Sequence, residues 1–115
     1  MLLFALDDEP LMLEELALSI AEAAPNARLR CFSRPSQALA AIREEGQKPD
    51  VIFSDIEMPG MGGMELAKAI HELSPRSNIV FVTGFPQYTL EAFEHHVSGF
   101  LLKPTSPDKI RHEME

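Results

Sequence analysis

The chain is short of three things: cysteine, basic charge and long apolar runs. It carries one cysteine, Cys31. A lone thiol closes no internal disulfide, which points to a reducing compartment, and its default role in the apolar run Leu29 to Phe32 is core packing. Lys and Arg total 10 against 18 Asp and Glu, a formal net charge of -8. That balance argues against nonspecific nucleic-acid binding by this segment. Two readings of the acidity stay open: solubility, or a concentration of carboxylates that holds a cation. No stretch approaches the roughly 18 apolar residues of a membrane span, and no basic segment precedes the first apolar run. The chain is therefore expected to be cytoplasmic and to work without a membrane. No repeat, low-complexity tract or linker interrupts the 115 residues, so one domain over 1–115 is expected.

What is present is alternation. Five short apolar runs are separated by amphipathic ones. Leu2 to Leu6 has the continuous apolar character of a buried strand. Pro10 opens a helix, where its missing N–H costs nothing, with Leu13, Leu16, Ala17, Ile20 and Ala24 on one face; Pro25 and Asn26 stop it. Arg28 to Phe32 forms a second strand. Ser33 is expected to cap the next helix, with Pro35 in its first turn and Ala38, Leu39 and Ile42 on its apolar face. Gly46 ends that helix and Val51 begins a third strand. After the Gly-rich loop from Pro59 to Gly63, Leu66, Ile70 and Leu73 mark a third helix, closed by Ser74 and Pro75. Ile79 to Val82 is a fourth strand. Thr89, Ala92, Phe93 and Val97 belong to a fourth helix, and Gly99 to Leu102 to a fifth strand. Ser106 and Pro107 start a fifth helix that the chain barely contains. Such alternation predicts an α/β domain with a parallel sheet, covered by helices on both faces. In open sheets of this type ligands bind beyond the carboxyl ends of the strands.

The residues at those strand ends carry the chemistry. Asp7, Asp8 and Glu9 follow the first strand, Asp55 the third, Thr83 ends the fourth and Lys103 follows the fifth. The second ends in Phe32 and Ser33, without charge, and is expected at an edge away from the site. Clustered carboxylates repel one another, and a hard divalent cation relieves this; oxygen-only ligation suits Mg²⁺ or Mn²⁺. No His or Cys joins the group, which argues against zinc. His71, His95, His96 and His112 fall in helical runs and are read as helix-surface residues. With the cation, Lys103 and Thr83 would counter the charge of an incoming phosphoryl group, and Asp55 would be the nucleophile that forms an aspartyl phosphate. Asp8 would bind the metal directly, Asp7 mainly through water, and the backbone carbonyl of Glu57 would add an oxygen. Singly, each residue has an ordinary explanation: an acidic helix start, a solvated lysine, a β-branched strand residue. Together at matching strand ends they are hard to obtain by accident.

These residues carry a family resemblance. The Asp7-Asp8-Glu9 cluster, the run D-I-E-M-P-G-M-G-G-M-E-L from Asp55, Thr83-Gly84 and Lys103-Pro104 resemble the receiver domain of two-component response regulators along the whole chain. The resemblance implies a flavodoxin-like (CheY-like) five-stranded parallel sheet of order 2-1-3-4-5, here with a truncated fifth helix. It also implies Mg²⁺-dependent phosphorylation of Asp55 by a sensor histidine kinase. The stretch from Tyr88 to Pro104 resembles receivers that precede a LytTR-type DNA-binding domain, which implies a transcriptional output beyond this segment and a homodimer on phosphorylation through the fourth and fifth helices. By the same resemblance Thr83 and Phe100 form the switch, with Phe100 resting on burial alone, Pro104 follows a cis peptide bond, and Gly84 leaves access to the pocket. Glu57 and Phe85 are expected to set the lifetime of the phosphorylated form, at minutes or longer. Three other functions compete: a pseudo-receiver that only binds partners, an aspartate-nucleophile phosphohydrolase, and a flavin carrier. The acceptor, acidic pair and lysine count against the first. Glu57, where such hydrolases carry a second Asp, counts against the second. The acidic first loop, which repels a flavin phosphate, counts against the third. The chain is thus expected to be a signalling switch and not a multiple-turnover enzyme.

Overall fold

Strand and helix alternate from the first residues. The computed structural model describes residues 1–84 and 97–114. Within them lie β1 (Leu2–Leu6), α1 (Pro10–Ala23), β2 (Arg28–Phe32), α2 (Pro35–Arg43), β3 (Val51–Ser54), α3 (Gly63–Leu73), β4 (Asn78–Thr83), β5 (Gly99–Leu102) and α4 (Pro107–Met114). The strands form one parallel sheet in the order β2-β1-β3-β4-β5. The expected fifth helix is α4, eight residues long. The fourth, expected around Thr89 to Phe93, lies outside the described residues, as do Phe85, His95 and His96. Val97 is described, and it is a buried non-helical residue before β5.

The continuous apolar character of the strands follows from burial on both faces. Alternate side chains of β1 serve opposite cores. Phe4 and Leu6 pack with α2 and α3 residues such as Leu39, Ile42, Leu66 and Ile70. Leu3 and Ala5 pack with Leu16 and Ile20 of α1 and Ile110 of α4. Fully burying a Leu, Ile or Phe is worth about 1.5–3 kcal/mol each, so these two layers supply most of the driving force for the fold.

Two local expectations are corrected. Ser33 does not cap α2: Arg34 holds the N-cap position in extended conformation and makes no side-chain cap bond. The cause is Pro35 at the helix start, whose ring forces the preceding residue out of helical conformation, so the boundary falls one residue later than Ser33. Cys31 is exposed and not a core residue. β2 lies at the edge of the sheet, paired with β1, and of its five residues only Phe32 is buried.

Candidate functional site

The parallel register brings distant carboxylates to one edge. Leu6 is aligned with Ser54, so Asp7 and Asp55 leave their adjacent strands at the same level. The Asp55 N–H donates to the Leu6 carbonyl (3.0 Å) and the Asp7 N–H to that of Phe32 (3.3 Å), so the ladder holds both backbones beyond the strands proper. Thr83, fully buried, ends β4, and its carbonyl accepts the Lys103 N–H at 2.7 Å. β1, β3, β4 and β5 thus each deliver a polar residue at the carboxyl end, and the sheet fixes their spacing.

Asp7, Asp8 and Asp55 each place a carboxylate oxygen within 4.8 Å of the others. Lys103 reaches into the group, its Nζ 3.1 Å from Asp7 Oδ2 and 3.5 Å from Asp55 Oδ2. Asp7 is only 2% exposed, and its second oxygen accepts the Glu9 N–H at 3.0 Å. Asp55 Oδ1 accepts the Ile56 N–H at 2.8 Å. Burial pushes the Asp55 carboxyl above its ordinary value; Lys103 opposes this, and the Asp7 charge adds to it. Burial alone would depress the Lys103 ammonium, but its hydrogen bond to Asp7 and the charges of Asp55 and Asp7 outweigh it and raise the net value.

Three carboxylates against one ammonium leave two negative charges uncompensated in a partly desolvated site. The donors are all oxygen, which fits a hard divalent cation of the Mg²⁺ or Mn²⁺ kind. A cleft lined by Asp8, Ile56, Glu57, Met58, Gly62 and Gly63 opens beside the group. Glu57 is exposed on its wall. Phe100 is half-buried against the core formed with α2 and α3. The Lys103–Pro104 peptide is cis. Gly84 is exposed, and among the described residues nothing lies within 4 Å of where a Cβ would stand.

One supporting residue, Ser54, escaped the sequence reading, and another, Gly63, was read only as part of the turn. Ser54 is fully buried and donates its hydroxyl to the Asp55 carbonyl at 2.8 Å, bracing the residue that carries the central carboxylate. Its signal was a polar residue closing the apolar run Val51 to Phe53. Gly63 packs on the backbone of the same loop: a Cβ there would stand 2.8 Å from the Ile56 Cα, and its N–H donates to the Ile56 carbonyl at 2.7 Å. The neighbouring turn needs glycine for another reason, since Gly60 has φ +87.

A doubly covered parallel sheet with an acidic cluster and a lysine at its carboxyl edge defines a class, and sequence comparison names it. The family model of the response regulator receiver domain matches residues 3–115, and the chain belongs to that family, the receivers of two-component signalling. An uncharacterized response regulatory protein of Vibrio cholerae is 38% identical over 105 residues, covering 90% of this chain and 40% of the relative. The sensory transduction protein LytT of Enterococcus faecalis is 32% identical, covering 95% of this chain and 44% of the relative. The chain therefore spans about two fifths of the length of these curated relatives. A response regulator receiver domain protein from Clostridium thermocellum has the same fold, with TM-score 0.86 at 19% identity over 98% of this chain and 90% of that one. Receivers of this family bind Mg²⁺ at an acidic pocket and interact with histidine kinases. Among the described residues, no helix is long and apolar enough to cross a membrane.

Proposed function

We propose that Asp55 accepts a phosphoryl group from a partner histidine kinase and that the domain uses the resulting charge as a switch. The observation that carries this reading is the placement of Lys103 between Asp7 and Asp55. Asp55 is the nucleophile: its oxygen bonds to phosphorus as the bond from phosphorus to the donor imidazole nitrogen breaks, and the imidazole nitrogen keeps that electron pair. Lys103 stays charged and faces the developing negative oxygens, and the Thr83 hydroxyl takes part in their recognition. Asp7, Asp8, Asp55 and the Glu57 carbonyl would hold Mg²⁺ (or Mn²⁺), which when bound supplies positive charge against both the carboxylates and the phosphoryl oxygens.

The switch couples Thr83 to Phe100, which is half-buried against the core formed with α2 and α3. The message passes to an output domain or partner through the face that carries β5. The resemblance of the stretch from Tyr88 to Pro104 to receivers that precede a LytTR-type DNA-binding domain supports transcriptional control through a separate DNA-binding segment, with a homodimer formed on phosphorylation; this segment does not itself touch DNA. The domain is a cytoplasmic signalling unit that is labelled once and loses the group slowly, over minutes or longer, under the influence of Glu57 and Phe85. Repeated turnover of a phosphate ester would instead mark it as a hydrolase.

The test is intact mass after incubation with acetyl phosphate and Mg²⁺. One phosphoryl adduct on the wild type, lost with EDTA and absent from Asp55→Ala, is the expected result. A wild type that takes neither this label nor beryllofluoride is a pseudo-receiver, and the proposal falls.

A further inference from the structure

We propose that Lys109 is a positioning residue that sets the reach of Lys103 into the acidic cluster. The inference rests on the phosphoacceptor reading above and adds to it a residue outside the strand-end constellation. Lys109 lies in the first turn of α4, and its ammonium turns back over the loop that precedes the helix. It donates to the carbonyl of Leu102 at 3.3 Å and to that of Pro104 at 2.8 Å. Those carbonyls flank Lys103 on both sides. The Lys103 N–H is bonded to β4 through Thr83. The loop is thus held from the sheet by one bond and from the helix by two, and the side chain that leaves between them meets Asp7 and Asp55.

A second observation separates this arrangement from an ordinary surface lysine. The first turn of a helix is where a cation is least favoured, because the unpaired N–H groups and the macrodipole are positive there. The neighbouring Asp108 obeys that preference. Lys109 departs from it, and its ammonium is used on carbonyl oxygens that the helix does not supply. Ser106 meanwhile accepts the Lys109 N–H at 3.3 Å and satisfies one of the orphan donors of the turn. Lys109 is exposed, so its bonds contribute little to global stability. Their effect is geometric: the Leu102 carbonyl shares a peptide plane with the Lys103 N–H and stays held through Thr83, so without Lys109 it is the Pro104 side of Lys103 that loses its anchor, and with it the fixed distance of the ammonium from Asp7 and Asp55.

The experiment compares wild type, Lys109→Met and Lys109→Arg in three measurements. The first is the initial rate of labelling by acetyl phosphate with Mg²⁺, followed by intact mass. Lys109→Met is expected to be slower by about threefold to tenfold, as misplacement of a charged group by a fraction of an ångström would cause. Lys109→Arg, whose guanidinium also donates to two acceptors, is expected to recover most of the rate. The second is Mg²⁺ affinity by calorimetry, expected not to fall in Lys109→Met, because the carboxylates are untouched and a loosened Lys103 competes less with the metal. The third is the NMR signal of the Lys103 ε-methylene, expected to move in Lys109→Met and to return in Lys109→Arg. Labelling of Lys109→Met at the wild-type rate overturns the inference, and so does a loss of Mg²⁺ affinity that parallels the loss of labelling. If the wild type takes neither this label nor beryllofluoride, the phosphoacceptor reading fails separately. The Lys103 signal still decides this one, since an unmoved signal in Lys109→Met overturns it.

Discussion

The two ends of the sheet handle polar groups in opposite ways. At the amino end they are neutral or exposed and satisfied pairwise. Asp50 accepts the Leu2 N–H, Ser77 donates its hydroxyl to the Pro49 carbonyl, and Ser98 bonds Asn78. Each bond ties together residues far apart in the chain, and the one charge among them, the Asp50 carboxylate, is exposed. At the carboxyl end three carboxylates crowd within 4.8 Å, with one lysine among them and one of the three almost fully buried. The same strands terminate at both ends, so the difference is not architectural. One end is arranged for stability, and the other tolerates electrostatic repulsion among its carboxylates, which the proposed cation and phosphoryl chemistry would use.

The largest expected effect comes from removing the lysine. Lys103→Met should lower labelling of Asp55 by roughly 100-fold or more, as loss of one preorganised charge-stabilising donor does. It also leaves Asp7 buried without its ion pair, which should destabilise the metal-free protein by roughly 1–3 kcal/mol. Mg²⁺ affinity should rise, because a competing cation has gone. Calorimetry and thermal unfolding check both signs, and unchanged Mg²⁺ affinity would show that lysine and metal do not compete for the same carboxylates.

Gly63→Ala should cost roughly 1–3 kcal/mol, because the new methyl group meets the Ile56 backbone and cannot be relieved by a rotamer change. Gly62→Ala, with nothing near its Cβ position, is the matched control and should be close to neutral. Equal denaturation midpoints for the two variants would contradict the close packing of α3 on the Asp55 loop.

Asp55→Asn should stabilise the metal-free fold at neutral pH. The sign follows from the raised carboxyl of Asp55. A carboxyl whose pKa is higher in the folded state binds protons more readily there than in the unfolded chain. Its contribution is therefore unfavourable once it ionises: the penalty grows as pH rises from the unfolded value towards the folded one, then stays constant. The advantage of the asparagine should vanish in acid below the ordinary carboxylate value. A gap between variant and wild type that stays the same across that range would show that the cause is not ionisation. The smallest effect belongs to the other end of the sheet. Ser77→Ala should lose about 1 kcal/mol, the worth of one hydrogen bond, and leave labelling of Asp55 unchanged. A change in labelling would mean that the two ends are coupled.

Much of this was legible in the residues. The apolar runs, the prolines that open α1, α2 and α4, and the positions of Asp7, Asp8, Asp55, Thr83 and Lys103 after their strands are written in local pattern. Pattern of this kind records which face of an element is covered, and that is a short-range property. The errors have the same origin. Ser33 had the chemistry of a cap, but the ring of Pro35 moved the boundary to Arg34. Cys31 had the character of a core residue, but β2 took the edge of the sheet.

Sequence alone therefore settled the kind and order of the described elements and supplied the candidate groups for chemistry, because each depends on neighbours within a few positions. The fold settled the rest. Register between β1 and β3 put Asp7 beside Asp55, and burial distinguished Asp7 from Asp8, which are consecutive in the chain and chemically identical. The return of α4 over the end of β5 set Lys109 against the carbonyls on either side of Lys103. Distances and desolvation between groups dozens of residues apart arise only when right-handed crossovers stack the strands in one order, and on those two quantities the electrostatics of the site depend.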